Sequence, residues 1–146
     1  MLIMAVLGGA IMSVAYRAFA VSTTVTERRD VFADGRSALD QMTKLLRQAE
    51  SIDPASTTSE VRFSSYVDGQ VVDAVYRVTG GEAPYALERS LDGGATYTEL
   101  VSPVSTNEVF VYTQSGDVTD QVTIDLHLET QTSTVELTTD VFLRNA

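Results

Sequence analysis

The sequence predicts an α+β fold in which a long N-terminal helix packs on a C-terminal antiparallel β domain of about seven strands. Three observations carry that prediction. The first sixteen residues are uncharged and mostly apolar. Apolar side chains then recur at helical spacing to Ile52. After Pro54 the period changes from 3.6 to 2, and glycine-containing turns divide the chain into short runs.

The opening run, Met1 to Tyr16, is interrupted by Arg17 and continues for one more turn through Val21. It is slightly short of the roughly 20 residues that span a bilayer as helix. A secretory signal peptide has an apolar core of about this length, but no basic residues precede the run and no cleavage site followed by a loop ends it. Instead, Val25, Phe32, Leu39, Met42, Leu45, Leu46, Ala49 and Ile52 extend a helical stripe, with charged residues on the other faces. Gly35 lies within this stripe and weakens a helix by about 1 kcal/mol relative to alanine. Read as one helix, Met1 to Ile52 is about 78 Å long, too long to be buried by a domain of the size that follows. Asp53-Pro54 ends it.

The expected strands are Val61 to Val67, Gln70 to Thr79, Tyr85 to Leu91, Thr96 to Val101, Glu108 to Thr113, Val122 to Leu128 and Val135 to Leu143. The turns between them carry Asp68-Gly69, Gly80-Gly81, Asp92-Gly93-Gly94 and Ser115-Gly116-Asp117. The clearest alternation sets Val122, Ile124, Leu126 and Leu128 inward against Thr123, Asp125, His127 and Glu129 outward. Four segments result: 1–21, a transmembrane or assembly half-helix; 22–53, its amphipathic continuation; 54–60, a polar linker; and 61–146, the β domain.

Composition narrows the function. Cysteine is absent and His127 is the single histidine, so thiol chemistry and cysteine-ligated zinc are excluded. Residues 1–53 hold six basic and six acidic side chains, whereas residues 54–146 hold four arginines against fourteen acids and carry the whole net charge of -10. Such a surface argues against binding a phosphate backbone, so no nucleic-acid partner is expected. His127 faces outward on its strand, and no catalytic set can be composed around it; an enzyme is not expected. The acidic turns raise calcium as a cofactor, but Asp-Gly is also the plainest hairpin signal and EF-hand spacing is missing. The expectation is no cofactor, with calcium the alternative. The scattered tyrosines Tyr66, Tyr76, Tyr85, Tyr97 and Tyr112 read as sheet packing.

Gly35-Arg36-Ser37-Ala38-Leu39-Asp40, followed by Lys44-Leu45-Leu46-Arg47-Gln48-Ala49, resembles the second half of the N-terminal helix in W-type minor pilins. The Leu-Arg-Gln-Ala ending is also similar to J-type minor pseudopilins of type II secretion. Ala15-Tyr16 with Phe19 resembles the membrane half of the same helix, and Val141 to Asn145 the closing strand. The likeness to the type IV pilin superfamily covers the first 50 residues and the extreme C-terminus; the middle matches only in strand pattern. It implies a structural subunit that initiates or caps a fibre, with other pilin or pseudopilin subunits, the inner membrane, the prepilin peptidase and the assembly machinery as partners. It implies a single-pass inner-membrane location with the β domain outside the cytoplasm, then a surface pilus or periplasmic pseudopilus.

By the same resemblance, Leu2, Ile3, Val6, Leu7, Gly8, Gly9, Ile11, Val14 and Arg17 form the assembly helix, the glycines permitting close helix–helix approach. Arg17 snorkels to the headgroups or pairs with an acid of a neighbour. Phe32, Leu39, Met42, Leu46 and Ala49 are the helix-to-sheet packing positions. The family's basic leader, its glycine before the cleavage point and its glutamate at the fifth mature position are missing from the sequence. With Tyr16 set against its usual counterpart, Met1 falls near the sixth mature position, so the chain reads as started at an internal methionine. The alternative is that Ala5 replaces the glutamate. Two rival functions are a non-polymerising, membrane-anchored β-sandwich binding module and a secreted enzyme.

Overall fold

The computed structural model describes Thr26 and residues 28–116 and 118–143. Helix α1 covers residues 28–46 and lies against a seven-stranded antiparallel sheet. The strands are β1 (Glu60–Val67), β2 (Gln70–Thr79), β3 (Tyr85–Ser90), β4 (Thr98–Val104), β5 (Phe110–Ser115), β6 (Val118–Glu129) and β7 (Thr134–Phe142). This corrects the expected fold class. Among the described residues the protein is mostly β, a curled seven-stranded sheet carrying one short helix, and not a long N-terminal helix with a sheet packed on it. Residues 1–21, expected as the membrane half of a longer helix, lie outside the described residues.

The C-terminal end of α1 has a local cause. Its last turn tightens, with Gln48 and Ala49 donating N–H bonds to the carbonyls of Leu45 and Leu46 three residues back. The chain then turns onto the sheet: Glu50 and Asp53 donate to the carbonyls of Ser64 and Arg62, and Ile52 bridges Phe63. Ile52 sits in phase with the helical stripe yet serves as a strand partner. Pro54 disfavours helical backbone at Asp53, and the open edge of β1 captures the four residues before it. The helix therefore stops at Leu46 and not at Ile52. Nor is 54–60 a free linker. The Thr58 carbonyl accepts the N–H groups of both Val109 and Phe110, each at 2.8 Å, and Thr57 bridges Glu60.

Connections within the sheet follow the turn chemistry. Asp68 and Gly69 both have positive φ, 52° and 80°, which suits the two-residue turn that matches strand twist and joins β1 to β2. The sheet order is β1-β2-β3-β4-β6-β5, with β7 on the other side of β6. β4 meets β6 at Val104 and Leu128, and β5 meets it from Phe110 to Ser115, so these two strands follow one another along the same edge of β6. Curling brings the start of β5 back to the segment before β1, where the Tyr112 hydroxyl donates to the carbonyls of Thr57 (2.8 Å) and Glu60 (3.1 Å). Burial at this closure pushes the Tyr112 hydroxyl above its ordinary pKa.

The core lies between α1 and the concave face of the sheet. Ala38, Leu39, Met42, Leu46 and Ala49 are buried there, at steps of one, three, four and three residues along one face. They meet Val61, Tyr76, Leu87, Phe110, Ile124 and Leu126, each fully buried. Phe63 stacks on Tyr76 with ring centroids 6.1 Å apart. Gly35 has a packing reason for being glycine. A Cβ there would overlap Cδ1 of Leu128 and approach Cδ1 of Leu137 at 2.7 Å, so the small residue lets α1 close onto β6 and β7. Gly35→Val is expected to lower stability by about 1–3 kcal/mol through overpacking, read as a drop in the urea midpoint with an unchanged slope.

Candidate functional site

The described surface has two features with chemical character: a basic groove beside α1 and an acidic outer face on β6 and β7. The groove is about 580 Å³ in volume and runs between α1 and the last strand of the sheet. Its helix wall carries Arg36, Asp40, Lys44 and Arg47, with Phe32 and Gln48 at its two ends; its strand wall carries Leu137, Thr138 and Thr139. Positions 36, 40, 44 and 47 are spaced four, four and three apart, which places them in one stripe on the helix. Arg36, Lys44 and Arg47 are exposed and make no ion pair among the described residues. Three cations and one anion leave this wall at +2 in a chain of net charge -10.

The strand wall is an open sheet edge. β7 pairs with β6 over nine consecutive positions without a register shift, and its other edge has no strand partner among the described residues. Sheet edges left unpaired are commonly blunted by charged side chains, proline or a bulge; Thr134–Phe142 has no proline and no bulge, and its charges, Glu136 and Asp140, both stand on the convex face. The opposite edge of the sheet is treated differently, since Glu50 to Asp53 cover β1.

On the outer face, carboxylates and hydroxyls are tied across β6 and β7. Thr123 donates to Asp140 at 2.6 Å, Thr138 donates to Asp125 at 2.8 Å, and His127 Nε2 lies 3.2 Å from Asp125 Oδ1. His127 thus stands across from Glu136 on the convex side, as a partly exposed side chain in an acidic lattice. No group of three or more histidine, aspartate or glutamate side chains among the described residues is placed to hold a metal ion.

The Asp92 turn shows what one of the acidic turns does. Its carboxylate accepts the Ser90 hydroxyl at 2.6 Å, the Thr96 N–H at 2.9 Å and the Thr96 hydroxyl at 2.6 Å. These bonds, the Ser90 hydroxyl foremost, favour the ionised form and lower the Asp92 pKa to about 2. Because the folded pKa lies below the unfolded one, the stabilisation is complete above the ordinary carboxylate range. It is lost as pH falls from about 4 through 2. Asp92→Asn is therefore expected to melt below the parent at pH 7, with the gap in Tm narrowing as pH falls across that window.

The sequence-predicted positions divide into three groups. Leu39, Met42, Leu46 and Ala49 are at most 7% exposed and face the sheet. Phe32 does not join them; it is 41% exposed and borders the groove between α1 and β7. Leu2, Ile3, Val6, Leu7, Gly8, Gly9, Ile11, Val14 and Arg17 lie outside the described residues, as does Asp117 of the third acidic turn. Among the described residues no helix is long and apolar enough to cross a membrane. The groove itself was missed. The spacing of Arg36, Lys44 and Arg47 was a usable signal for a basic stripe, but nothing local told which strand would lie beside it. Comparisons of the chain with protein-family models, curated proteins and solved structures find no match.

Proposed function

We propose that this chain is a minor structural subunit of a type IV pilus or a type II secretion pseudopilus, acting through assembly and not through catalysis. One observation carries the reading: an uncharged apolar run, 1–16, leads into an amphipathic helix whose seam Leu39, Met42, Leu46 and Ala49 docks on an antiparallel sheet. Such a chain has a use for each part. The apolar segment anchors the subunit in the inner membrane, with the β domain outside the cytoplasm, and then exchanges lipid for the equivalent segments of neighbouring subunits. Gly8 and Gly9 allow those segments to approach closely. The acidic surface of residues 54–146 limits premature association of free subunits.

The test is fractionation of the native protein followed by mass spectrometry of its N-terminus. Recovery from sheared fibres, with a processed and N-methylated first residue, is the expected result. Recovery from membranes alone, without methylation, overturns the reading in favour of a non-polymerising anchored module.

A further inference from the structure

The basic stripe of α1 and the unpaired edge of β7 line the same groove, and together they define what fits it. An unpaired strand edge offers a row of backbone donors and acceptors to any extended chain. The distance from Phe32 to Leu46 along α1 is about 21 Å at 1.5 Å per residue, the length of roughly six residues of strand. β7 is rich in β-branched residues, with Thr134, Val135, Thr138, Thr139 and Val141, so it holds the extended conformation that pairing needs.

From this juxtaposition we infer that β7 accepts an extended acidic segment of another protein as an additional strand, its carboxylates directed at Arg36, Lys44 and Arg47. Alternation makes the recognition rule specific. Successive side chains of an added strand point to opposite faces of the sheet. Those on the helix side meet three cations that make no ion pair among the described residues, and the half-exposed ring of Phe32. Those on the convex side lie alongside Glu136, Asp140 and the exposed Phe142. The favoured segment is acidic at every second position and neutral or basic at the positions between. A uniformly acidic segment is rejected by Glu136 and Asp140, and a uniformly basic one by the helix. A second copy of this chain is a poorer occupant, because two molecules of net charge -10 repel. The inference stands on the groove alone and does not depend on entry into a fibre.

The experiment uses the full chain in nonionic detergent micelles and a fluorescein-labelled nine-residue peptide alternating Glu with Val and Thr. The control peptide replaces each Glu by Gln. Fluorescence anisotropy is expected to show binding that weakens with added salt and is at least tenfold weaker for the Gln peptide. Amide hydrogen exchange is expected to show new protection in residues 134–142. The variant R36E/K44E/R47E, whose changes are all on exposed positions, is expected to lose at least tenfold in affinity. Should that variant fail to fold, the exchange map and the Gln peptide on the parent chain decide. Absence of binding, equal binding of the Gln peptide, or protection that appears away from β7 overturns the proposal.

Discussion

Phe110→Ala is expected to destabilise the protein by about 3–5 kcal/mol, the range for removing a fully buried aromatic side chain. Phe110 has no exposed surface and sits where the sheet curls back on itself. Its N–H shares the Thr58 carbonyl with that of Val109, and it pairs with Ile124 on β6. Truncation removes side-chain contacts from the core at the point where β5 meets the segment before β1. The loss should appear as a fall in urea midpoint and as faster amide exchange at Val109 and Phe110. Tyr112 ties the same junction through its hydroxyl, so Phe110→Ala and Tyr112→Phe are expected to be non-additive, as residues sharing one contact region are. A cost below about 1 kcal/mol would mean that the closure is outside the cooperative core.

The strands were legible because their signals are local. The period-2 alternation of Val122 to Leu128 became β6, and Asp68-Gly69 became a tight hairpin turn. Strand ends moved by a few residues where side chains gave no turn signal; β4, expected to start at Thr96, starts at Thr98 because Asp92 binds Thr96 into the preceding turn. The end of α1 was not legible. Ile52 fits a helix stripe and a strand bridge equally well, and the choice was made by the edge of β1, whose Arg62 and Ser64 carbonyls take the N–H groups of Asp53 and Glu50. Competition from a partner elsewhere in the chain leaves no mark in the helical period.

The groove was half legible for a related reason. The stripe Arg36, Asp40, Lys44, Arg47 is written in residue spacing, and a charged helix stripe ordinarily faces solvent. Its meaning depends on β7 being the last strand, which follows from β4 and β5 sharing one edge of β6 and leaving the other to β7. That arrangement is decided by long-range pairing. Gly35 is a similar case. As a residue it reads as a weakness in a helix, and only the approach of Leu128 and Leu137 shows what the missing side chain allows.

Leu46→Ala is expected to cost about 2–5 kcal/mol, whereas Phe32→Ala, in the same helix and in the same apolar stripe, is expected to cost less than about 1 kcal/mol. Periodicity alone ranks the two alike, and by size it ranks Phe32 higher. The fold separates them. Leu46 is fully buried at the last helical position, where the chain turns onto β1, so its removal leaves a cavity in the core. Phe32 keeps 41% of its surface exposed at the mouth of the groove. Urea unfolding of the two variants side by side checks the ranking. Equal losses, or a larger loss at Phe32, would show that Phe32 is covered in the folded protein and that the groove beside β7 is closed to an incoming strand. A large loss at Leu46 with little at Phe32 leaves the ring free for what the groove receives. Phe32→Ala should then weaken the alternating Glu peptide while leaving Tm nearly unchanged, which separates a residue that meets a partner from one that holds the helix on the sheet.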